Sequence, residues 1–217
     1  SAERLEMKLS GKVGEPEQAV LTKSVKTIVD QVDAMKRLVN EFRDYARLPA
    51  AELEQLDLNT LVSDLLQLYG NENAHVRVEA DLDPHCPLIA GDAQQLRQVV
   101  HNLLQNAQDA TELACEQAQR PRPWPAVRIT TRWSESSRRV RLAVLDHGNG
   151  FPAHILQRAF EPYVTTKPRG TGLGLAVVKK IADEHGARID LLNRTEDGVV
   201  TGAQVSLSFA PEHAVAI

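Results

Sequence analysis

The sequence has little cysteine and no long apolar run. Its two cysteines, Cys86 and Cys115, lie far apart and fit no metal-binding or redox spacing. We therefore expect two reduced thiols, as in a cytoplasmic protein, and no disulfide. The apolar runs are far shorter than a membrane span, so we expect a membrane to be reached only through segments that precede this chain.

The chain also lacks an excess of positive charge. It has 25 Lys and Arg against 29 Asp and Glu, a formal net charge of −4. We therefore expect neither nucleic acid nor an anionic membrane surface as a partner, and any nucleotide must be bound by local geometry. With 217 residues, of which 42% are hydrophobic, the chain is long enough for a core domain and a smaller element.

The N-terminal stretch SAERLEMKLS has no recognisable start, because it lacks an initiator Met, a helix cap and a signal-peptide core. Ala2, Leu5 and Leu9 recur at helical spacing, which predicts an amphipathic helix already under way at Ser1. Residues 11–19 contain two Gly and a Pro, and they predict a connection between two helices.

A long second helix is predicted from Leu21 to the Pro at position 49. Its apolar residues alternate in steps of four and three, which is the pattern of a coiled-coil-like bundle. These residues are Leu21, Val25, Ile28, Val32, Met35, Val39, Phe42 and Ala46. The alternative is one long surface helix packed on a core. Because two helices with one apolar seam each need partners, residues 1–50 are predicted to form half of a dimeric four-helix bundle.

The remainder of the chain mixes strand and helix patterns. Residues 51–60 are predicted as a linker and residues 61–217 as a second domain, which begins with a helix capped by Asp57 or Asn59. A helix from Asp92 to about Gln117 and several alternating strands follow. This order predicts an antiparallel-rich or mixed sheet covered on one face by helices, an α+β fold.

Three motifs are candidates for ligand chemistry. Asn102 and Asn106 lie on one face of the predicted helix, and an Asn oxygen can bind Mg²⁺. The stretch LDHGNG places a carboxylate at the end of a strand, followed by glycines that allow close approach. The stretch GTGLGLA precedes a helix, whose first amides favour anions. Each motif alone is weak evidence, since exposed polar residues or a hairpin turn explain the first two, and the third is neither a Walker A loop nor a dinucleotide fingerprint.

The order of the motifs is more specific than any one of them. Five stretches in this order resemble the ATP-binding domain of the GHKL superfamily, and within it the sensor histidine kinases of NtrY type. They are HNLLQNAQDA, LDHGNG, FEPYVTTK, GTGLGLA and TGA. The stretch FRDYARLP resembles the end of their dimerisation domain. The resemblance implies a dimerisation helical hairpin followed by a two-layer α/β sandwich of the GHKL (Bergerat) type.

The resemblance also implies roles at the adenine side of an ATP site. Asp146 would bind the adenine amino group, Gly148 and Gly150 would allow close approach, and Thr201 would be a second contact.

At the phosphate side, the resemblance makes Asn106 a Mg²⁺ ligand, turns Asn102 toward the phosphates and gives Asp109 a supporting role. Lys167 would reach the phosphates. The remaining residues would form the hinge and closing part of a lid over ATP. They are Phe160, Pro162, Tyr163, Gly170, Thr171, Gly172, Leu173, Gly174 and Leu175.

The reaction implied is transfer of the γ-phosphoryl group to a histidine. Related ATP hydrolases place a Glu general base four residues before the Asn, where this chain has Asn102, which cannot take a proton. None of the seven histidines lies in the family's H-E-x-x-N-P acceptor context, so the acceptor is expected upstream of Ser1 and no catalytic histidine is assigned here. The implied partners are a second copy and a response regulator, and the whole protein would be anchored in the inner membrane. The alternatives are an ATP hydrolase and a non-enzymatic dimerisation module.

Overall fold

A computed structural model describes residues 14–46, 48–68, 75–167 and 170–211 of the chain. The predicted first helix, at residues 1–10, lies outside the described residues. Helix α1 is Glu15–Ala46, and it begins inside the segment that was predicted to connect two helices. Its Pro16 lies in the first turn, where no backbone N–H is required. In the described part of the chain, no helix is both long and apolar enough to span a bilayer.

Helix α1 leaves most of its predicted seam exposed. Ile28, Val32, Met35, Val39 and Phe42 are between 41% and 64% exposed. Exposed apolar side chains at this spacing are typical of a helix surface that pairs with another helix.

The C-terminal end of α1 contacts the rest of the molecule. The Lys180 Nζ atom donates to the Tyr45 carbonyl at 3.0 Å and lies 5.5 Å from the centre of the Tyr45 ring. Further along the chain, Gln95 Nε2 donates to the Pro49 carbonyl at 2.9 Å. These contacts position the end of α1 against two helices of the second domain.

The part of the chain after α1 contains a mixed five-stranded sheet, as predicted. Its strands are β2 (Val78–Leu82), β4 (Val127–Ser134), β5 (Arg139–Leu145), β6 (Arg188–Glu196) and β7 (Val199–Phe209). Their order is β2-β4-β5-β7-β6, with β2 and β4 parallel and the other pairs antiparallel.

Helices α2 (Leu58–Leu68), α3 (Ala93–Gln117) and α5 (Gly174–Glu184) pack on this sheet. The apolar side chains between helices and sheet form one buried core. The α3 residues of this core recur at helical spacing and include Leu96, Val99, Val100, Leu103 and Leu104. The expected layer of helices on a sheet is therefore confirmed.

The helix predicted from Asp92 is also confirmed. Asp92 is the N-cap of α3, and its Oδ1 atom accepts hydrogen bonds from the amides of Gln94 at 2.9 Å and Gln95 at 3.0 Å. The Asp92 amide in turn donates to His185 Nε2 at 2.9 Å, while His185 Nδ1 lies 2.8 Å from the Ile181 carbonyl. The imidazole thus joins the start of α3 to the end of α5.

The segment predicted as a linker contains regular structure. Strand β1 (Glu54–Leu56) pairs antiparallel with β3 (Ile89–Gly91), which the sequence pattern did not reveal. Helix α2 begins at Leu58, three residues before the predicted start, because Asp57 Oδ1 accepts from the amides of Asn59 and Thr60. A short helix, α4 (Ala153–Leu156), completes the described elements.

Candidate functional site

Asp146 is a buried carboxylate at the end of β5. Its side chain is 8% exposed, and Oδ1 accepts hydrogen bonds from the amides of Gly148 at 2.8 Å and Ala203 at 2.9 Å. Burial raises the pKa of Asp146 above its ordinary value, although both hydrogen bonds oppose this shift. Within the described residues Oδ2 has no hydrogen-bond donor, so it can accept a hydrogen bond from a ligand.

Strand β7 passes unusually close to Asp146. Gly202 has a φ of +150°, and a Cβ atom there would lie 2.1 Å from the Asp146 carbonyl oxygen. The same carbonyl accepts a hydrogen bond from Arg194 Nη1 at 2.9 Å. Only glycine allows this approach, which gives the middle residue of the TGA motif a physical role. Within that motif the sequence predicts a role for Thr201 alone.

The loop after Asp146 is bound on both sides. Thr111 of α3 is fully buried, and its Oγ1 atom accepts a hydrogen bond at 3.0 Å from the backbone amide of His147, which is half-buried. A Cβ atom on Gly148 would lie 2.8 Å from the Ala110 Cβ, so a glycine is needed for this packing against α3.

On its other side the loop is bound by the side chain of Asn193 of β6 through two hydrogen bonds. The Asn193 side chain accepts from the Phe151 amide and donates to the Phe151 carbonyl, both at 2.8 Å. Gly150 precedes Phe151 with a φ of +70°. Sequence reasoning missed Thr111, Asn193 and Arg194, because no local pattern links these residues to the loop.

Thr201 carries a buried hydroxyl without a partner. Its Oγ1 atom is inaccessible to solvent and makes no hydrogen bond with the described residues. A buried polar atom left unpaired costs about 1–3 kcal/mol, and such an atom in a native protein calls for an explanation. Thr201 lies two residues before Ala203, which binds Asp146.

Asn106, Asp109 and Lys167 meet at the other end of the candidate site. The Lys167 Nζ atom donates to Asn106 Oδ1 at 3.0 Å and to Asp109 Oδ2 at 2.8 Å. Gln105 Nε2 donates to the second carboxylate oxygen of Asp109 at 2.7 Å. Two oxygens of α3 therefore converge on one cation, the ammonium group of the predicted lid.

Asn102 and Asn106 face the start of α5. Asn102 Nδ2 lies 3.5 Å from the Gly174 carbonyl, and a Cβ atom on Gly174 would lie 3.4 Å from Asn106 Nδ2. The N-cap of α5, Leu173, makes no side-chain hydrogen bond to the helix. The amides of this first turn can therefore bind an anion next to the two asparagines.

The predicted lid is closed at its base. The Tyr163 amide donates to the Gly172 carbonyl at 3.0 Å, and a Cβ atom on Gly172, where φ is +71°, would lie 2.5 Å from the Tyr163 carbonyl carbon. Tyr163 itself has a φ of +67° and an exposed ring, Pro162 is exposed, and Phe160 is half-buried.

The last lid residues lead into α5. Leu173 is fully buried and Leu175 packs partly against the core. Thr171 Oγ1 accepts from the Leu173 amide at 3.3 Å. Gly170 lies close to Thr165, since a Cβ atom there would be 2.6 Å from Thr165 Oγ1. The structure thus gathers the predicted lid residues between α4 and α5, beside Asn106.

The oxygens of Asn106 and Asp109 suit a hard cation. An amide oxygen and a carboxylate oxygen are the protein ligands that Mg²⁺ prefers, and phosphates and waters complete its octahedron. Both oxygens already contact a positive charge in this structure. The donor set therefore fits Mg²⁺ accompanied by a phosphorylated ligand.

Comparisons with known proteins agree with this geometry. Residues 91–213 match the family model described as "Histidine kinase-, DNA gyrase B-, and HSP90-like ATPase". The chain is 32% identical to a putative sensor histidine kinase NtrY-like of Rickettsia bellii, over 95% of this chain and 32% of that protein. It is also 32% identical to the nitrogen regulation protein NtrY of Azorhizobium caulinodans, over 98% of this chain and 26% of that protein. The chain thus spans about a third or less of these relatives.

Solved structures show the same fold. Full-length ShkA in complex with AMPPNP is 26% identical with a TM-score of 0.66, covering 88% of this chain and 39% of that one. The histidine kinase ThkA in complex with the response regulator TrrA is 22% identical with a TM-score of 0.70, covering 99% of this chain and 58% of that one. The second likeness extends over helix α1 as well as the sheet domain.

Proposed function

Since the chain belongs to the histidine kinase-, DNA gyrase B- and HSP90-like ATPase family, we propose that it is the catalytic part of a sensor histidine kinase. In this proposal it binds Mg²⁺-ATP and transfers the γ-phosphoryl group to a histidine, for relay to an aspartate of a response regulator. The observation that supports it best is the pair of unmet groups at the adenine end. These are the Asp146 Oδ2 atom and the buried Thr201 hydroxyl.

At this end the two groups would recognise adenine. The amino group of adenine donates a hydrogen bond, and the free oxygen of Asp146 is a charged acceptor for it. The Thr201 hydroxyl would bond to a ring nitrogen beside the amino group. Because Asp146 Oδ1 is held by two backbone amides, the acceptor is oriented before the ligand arrives, which lowers the entropy cost of binding.

At the other end Asn106, Asp109 and the first turn of α5 would hold the metal and the phosphates. When bound, Mg²⁺ neutralises charge on the phosphates and fixes their geometry for in-line transfer. Asn106 and Asp109 supply oxygens, and the amides that follow Leu173 supply donors to the phosphates.

Asn102 favours phosphoryl transfer over hydrolysis. It lies one turn before Asn106 and interacts with the Gly174 carbonyl. A carboxamide cannot accept a proton from water, so this residue cannot act as the general base that related hydrolases have at this position. The accepting histidine is proposed to lie outside the 217 residues, since none of the seven present has the acceptor context.

The exposed seam of α1 supports a second copy as partner. A helix with five apolar side chains exposed at steps of four and three is stabilised when a matching helix covers them. ThkA was solved with the response regulator TrrA, and by analogy we propose a response regulator as the partner that receives the phosphoryl group. In this proposal the catalytic part lies in the cytoplasm and the whole protein is anchored in the inner membrane.

Nucleotide binding to single-residue variants tests the site. Asp146→Asn should weaken Mg²⁺-ATP binding in calorimetric titrations about 10- to 100-fold, because a charge-assisted hydrogen bond is lost. Thr201→Val should weaken it less. Asp64→Asn makes the same chemical change at an exposed position of α2 and should leave the affinity unchanged. Unchanged affinity in both site variants would refute the assignment.

The reaction needs a separate test. With γ-labelled ATP, this chain should not label itself, whereas a chain extended upstream to include an H-E-x-x-N-P segment should acquire an acid-labile phosphoryl group. Steady release of inorganic phosphate without labelling of the extended chain would favour an ATP hydrolase instead.

A further inference from the structure

We propose that Lys167 and Mg²⁺ compete for the same two oxygens, so that the lid lysine holds the metal position until the nucleotide brings its metal. This inference rests on the proposed function, because it concerns the phosphate end of the same site. It adds a regulatory contact that links the state of the lid to the loading of the metal.

The contacts of Lys167 are those expected of a cation in a metal position. Its Nζ atom lies 3.0 Å from Asn106 Oδ1 and 2.8 Å from Asp109 Oδ2. These are the oxygens that suit Mg²⁺. Gln105 holds the other oxygen of the Asp109 carboxylate at 2.7 Å, which turns Oδ2 toward the ammonium group. Lys167 thus bonds two acceptors of α3 at once.

A metal ion and an ammonium group on the same two oxygens would lie close together. Mg²⁺ requires ligand distances of about 2.0–2.1 Å in a near-ideal octahedron. An ammonium group that stayed within 3 Å of the same oxygens would stand against the ion and its waters, and the two positive charges would repel each other. This repulsion favours metal entry when the Lys167 side chain leaves.

The position of Lys167 makes that departure easy. The side chains of Lys167 and Asp109 are 32% and 42% exposed, and ion pairs of this kind contribute little to stability. Lys167 belongs to the lid, whose base is closed by the Tyr163–Gly172 hydrogen bond. A lysine released from α3 remains tethered beside the first turn of α5, where phosphates would give it new acceptors.

A metal titration separates competition from simple phosphate binding. In one titration, Mg²⁺ is added to the full 217-residue chain at a fixed concentration of fluorescent, ribose-labelled ADP. In a second titration, the same ADP is added in the absence of metal. For Lys167→Met we expect the Mg²⁺ concentration at half-saturation to fall about fivefold, within the usual range of coupling between ligands. Metal-free ADP binding should not tighten.

The matched control is Lys179→Met. Lys179 is a half-exposed lysine of α5 that pairs with Asp183 and does not contact Asn106 or Asp109. The Lys179→Met variant loses the same charge, on the neighbouring helix. If its Mg²⁺ concentration at half-saturation falls equally, the effect is due to net charge alone, and the proposal is overturned. Thermal unfolding establishes that each variant is folded, and Lys167→Gln replaces Lys167→Met if the latter is not.

Two further results would overturn the proposal. If Lys167→Met weakens ADP binding equally with and without metal, and the half-saturation concentration stays constant, Lys167 is only a phosphate ligand. If the unaltered chain binds no labelled ADP at all, the proposed function fails and this inference fails with it. The first result leaves the proposed function intact, so the two failures are distinguishable.

Discussion

The two ends of the candidate site, which we propose bind adenine and the phosphates, are built differently. At the adenine end a buried carboxylate is held by backbone amides and bracketed by residues of α3 and β6. At the phosphate end half-exposed side chains satisfy one another. The acceptor at the first end is oriented before a ligand binds. At the second end the Lys167 ammonium group occupies acceptors that we propose a ligand takes over. One end of the site is therefore preorganised for its ligand, whereas the ion pair at the other end can be exchanged for contacts with the ligand.

The difference lies mainly in what a substitution would leave unpaired. A change at the adenine end that removes a buried hydrogen-bond partner strands a buried donor or acceptor, and such groups cost about 1–3 kcal/mol each. A change at the phosphate end returns exposed groups to water at little cost.

Gly202→Ala should have the largest effect. Its Cβ atom would overlap the Asp146 carbonyl oxygen, 2.1 Å away, so β5 and β7 must separate. We expect a loss of about 4 kcal/mol or more in the free energy of unfolding by urea, as for other severe steric changes. Gly198→Ala is the control, since Gly198 also has a positive φ but has no atom within 4 Å of the added carbon. It should cost only about 1 kcal/mol of backbone strain, and equal losses would contradict the close-approach argument.

Thr111→Val should come next, at about 2 kcal/mol. Valine keeps the shape of the buried side chain but removes the acceptor of the His147 amide, which is then left without its partner. Chemical denaturation measures the loss. Thr130→Val, at a partly buried position of β4, should change stability much less because valine suits a strand. A Thr111→Val variant as stable as the unaltered chain would show that the loop does not depend on α3.

Asp146→Asn should differ in stability from the unaltered chain in a pH-dependent way. Burial raises the pKa of Asp146 in the folded state, so between its ordinary and its raised pKa the folded chain binds more protons than the unfolded chain. Stability of the unaltered chain therefore falls as pH rises through that window, and the cost is fully present above the raised pKa. Asparagine carries no such cost.

Urea unfolding at several pH values checks this prediction. Asp146→Asn should be at least as stable as the unaltered chain at neutral pH, and its advantage should shrink as the pH falls. An advantage that grows with acidity would mean that folding lowers the pKa of Asp146. The same variant should bind nucleotide less well, so its gain in stability would accompany a loss of function.

The hydrogen-bond partners of the loop after Asp146 show the limit of prediction from the sequence. The helices, the mixed sheet and the role proposed for Asp146 could be predicted because periodicity and the D-x-G-x-G spacing are local. Thr111 and Asn193 could not, since they lie 36 and 42 residues from the groups they bind. Their types are ordinary for a helix and a strand, and only the folded chain brings them to the loop.

The two-stranded sheet of β1 and β3 was missed for a similar reason. Each strand has only three residues, too few to establish an alternating pattern. From the sequence Lys167 is expected to reach the phosphates, but its contacts with Asn106 and Asp109 span about 60 positions. Long-range pairing of polar side chains has no periodic signature, so it could be found only in the structure.

The smallest effect is expected where the phosphate end is held together. A double-mutant cycle on Lys167→Met and Asp109→Asn should give a coupling energy below about 1 kcal/mol in urea unfolding, because both side chains are partly exposed to solvent. The coupling should shrink further at high salt, which screens such pairs. A coupling as large as the loss in Thr111→Val would mean that the phosphate end is fixed as firmly as the adenine end. The lysine would then be a structural anchor, and a metal could not readily displace it.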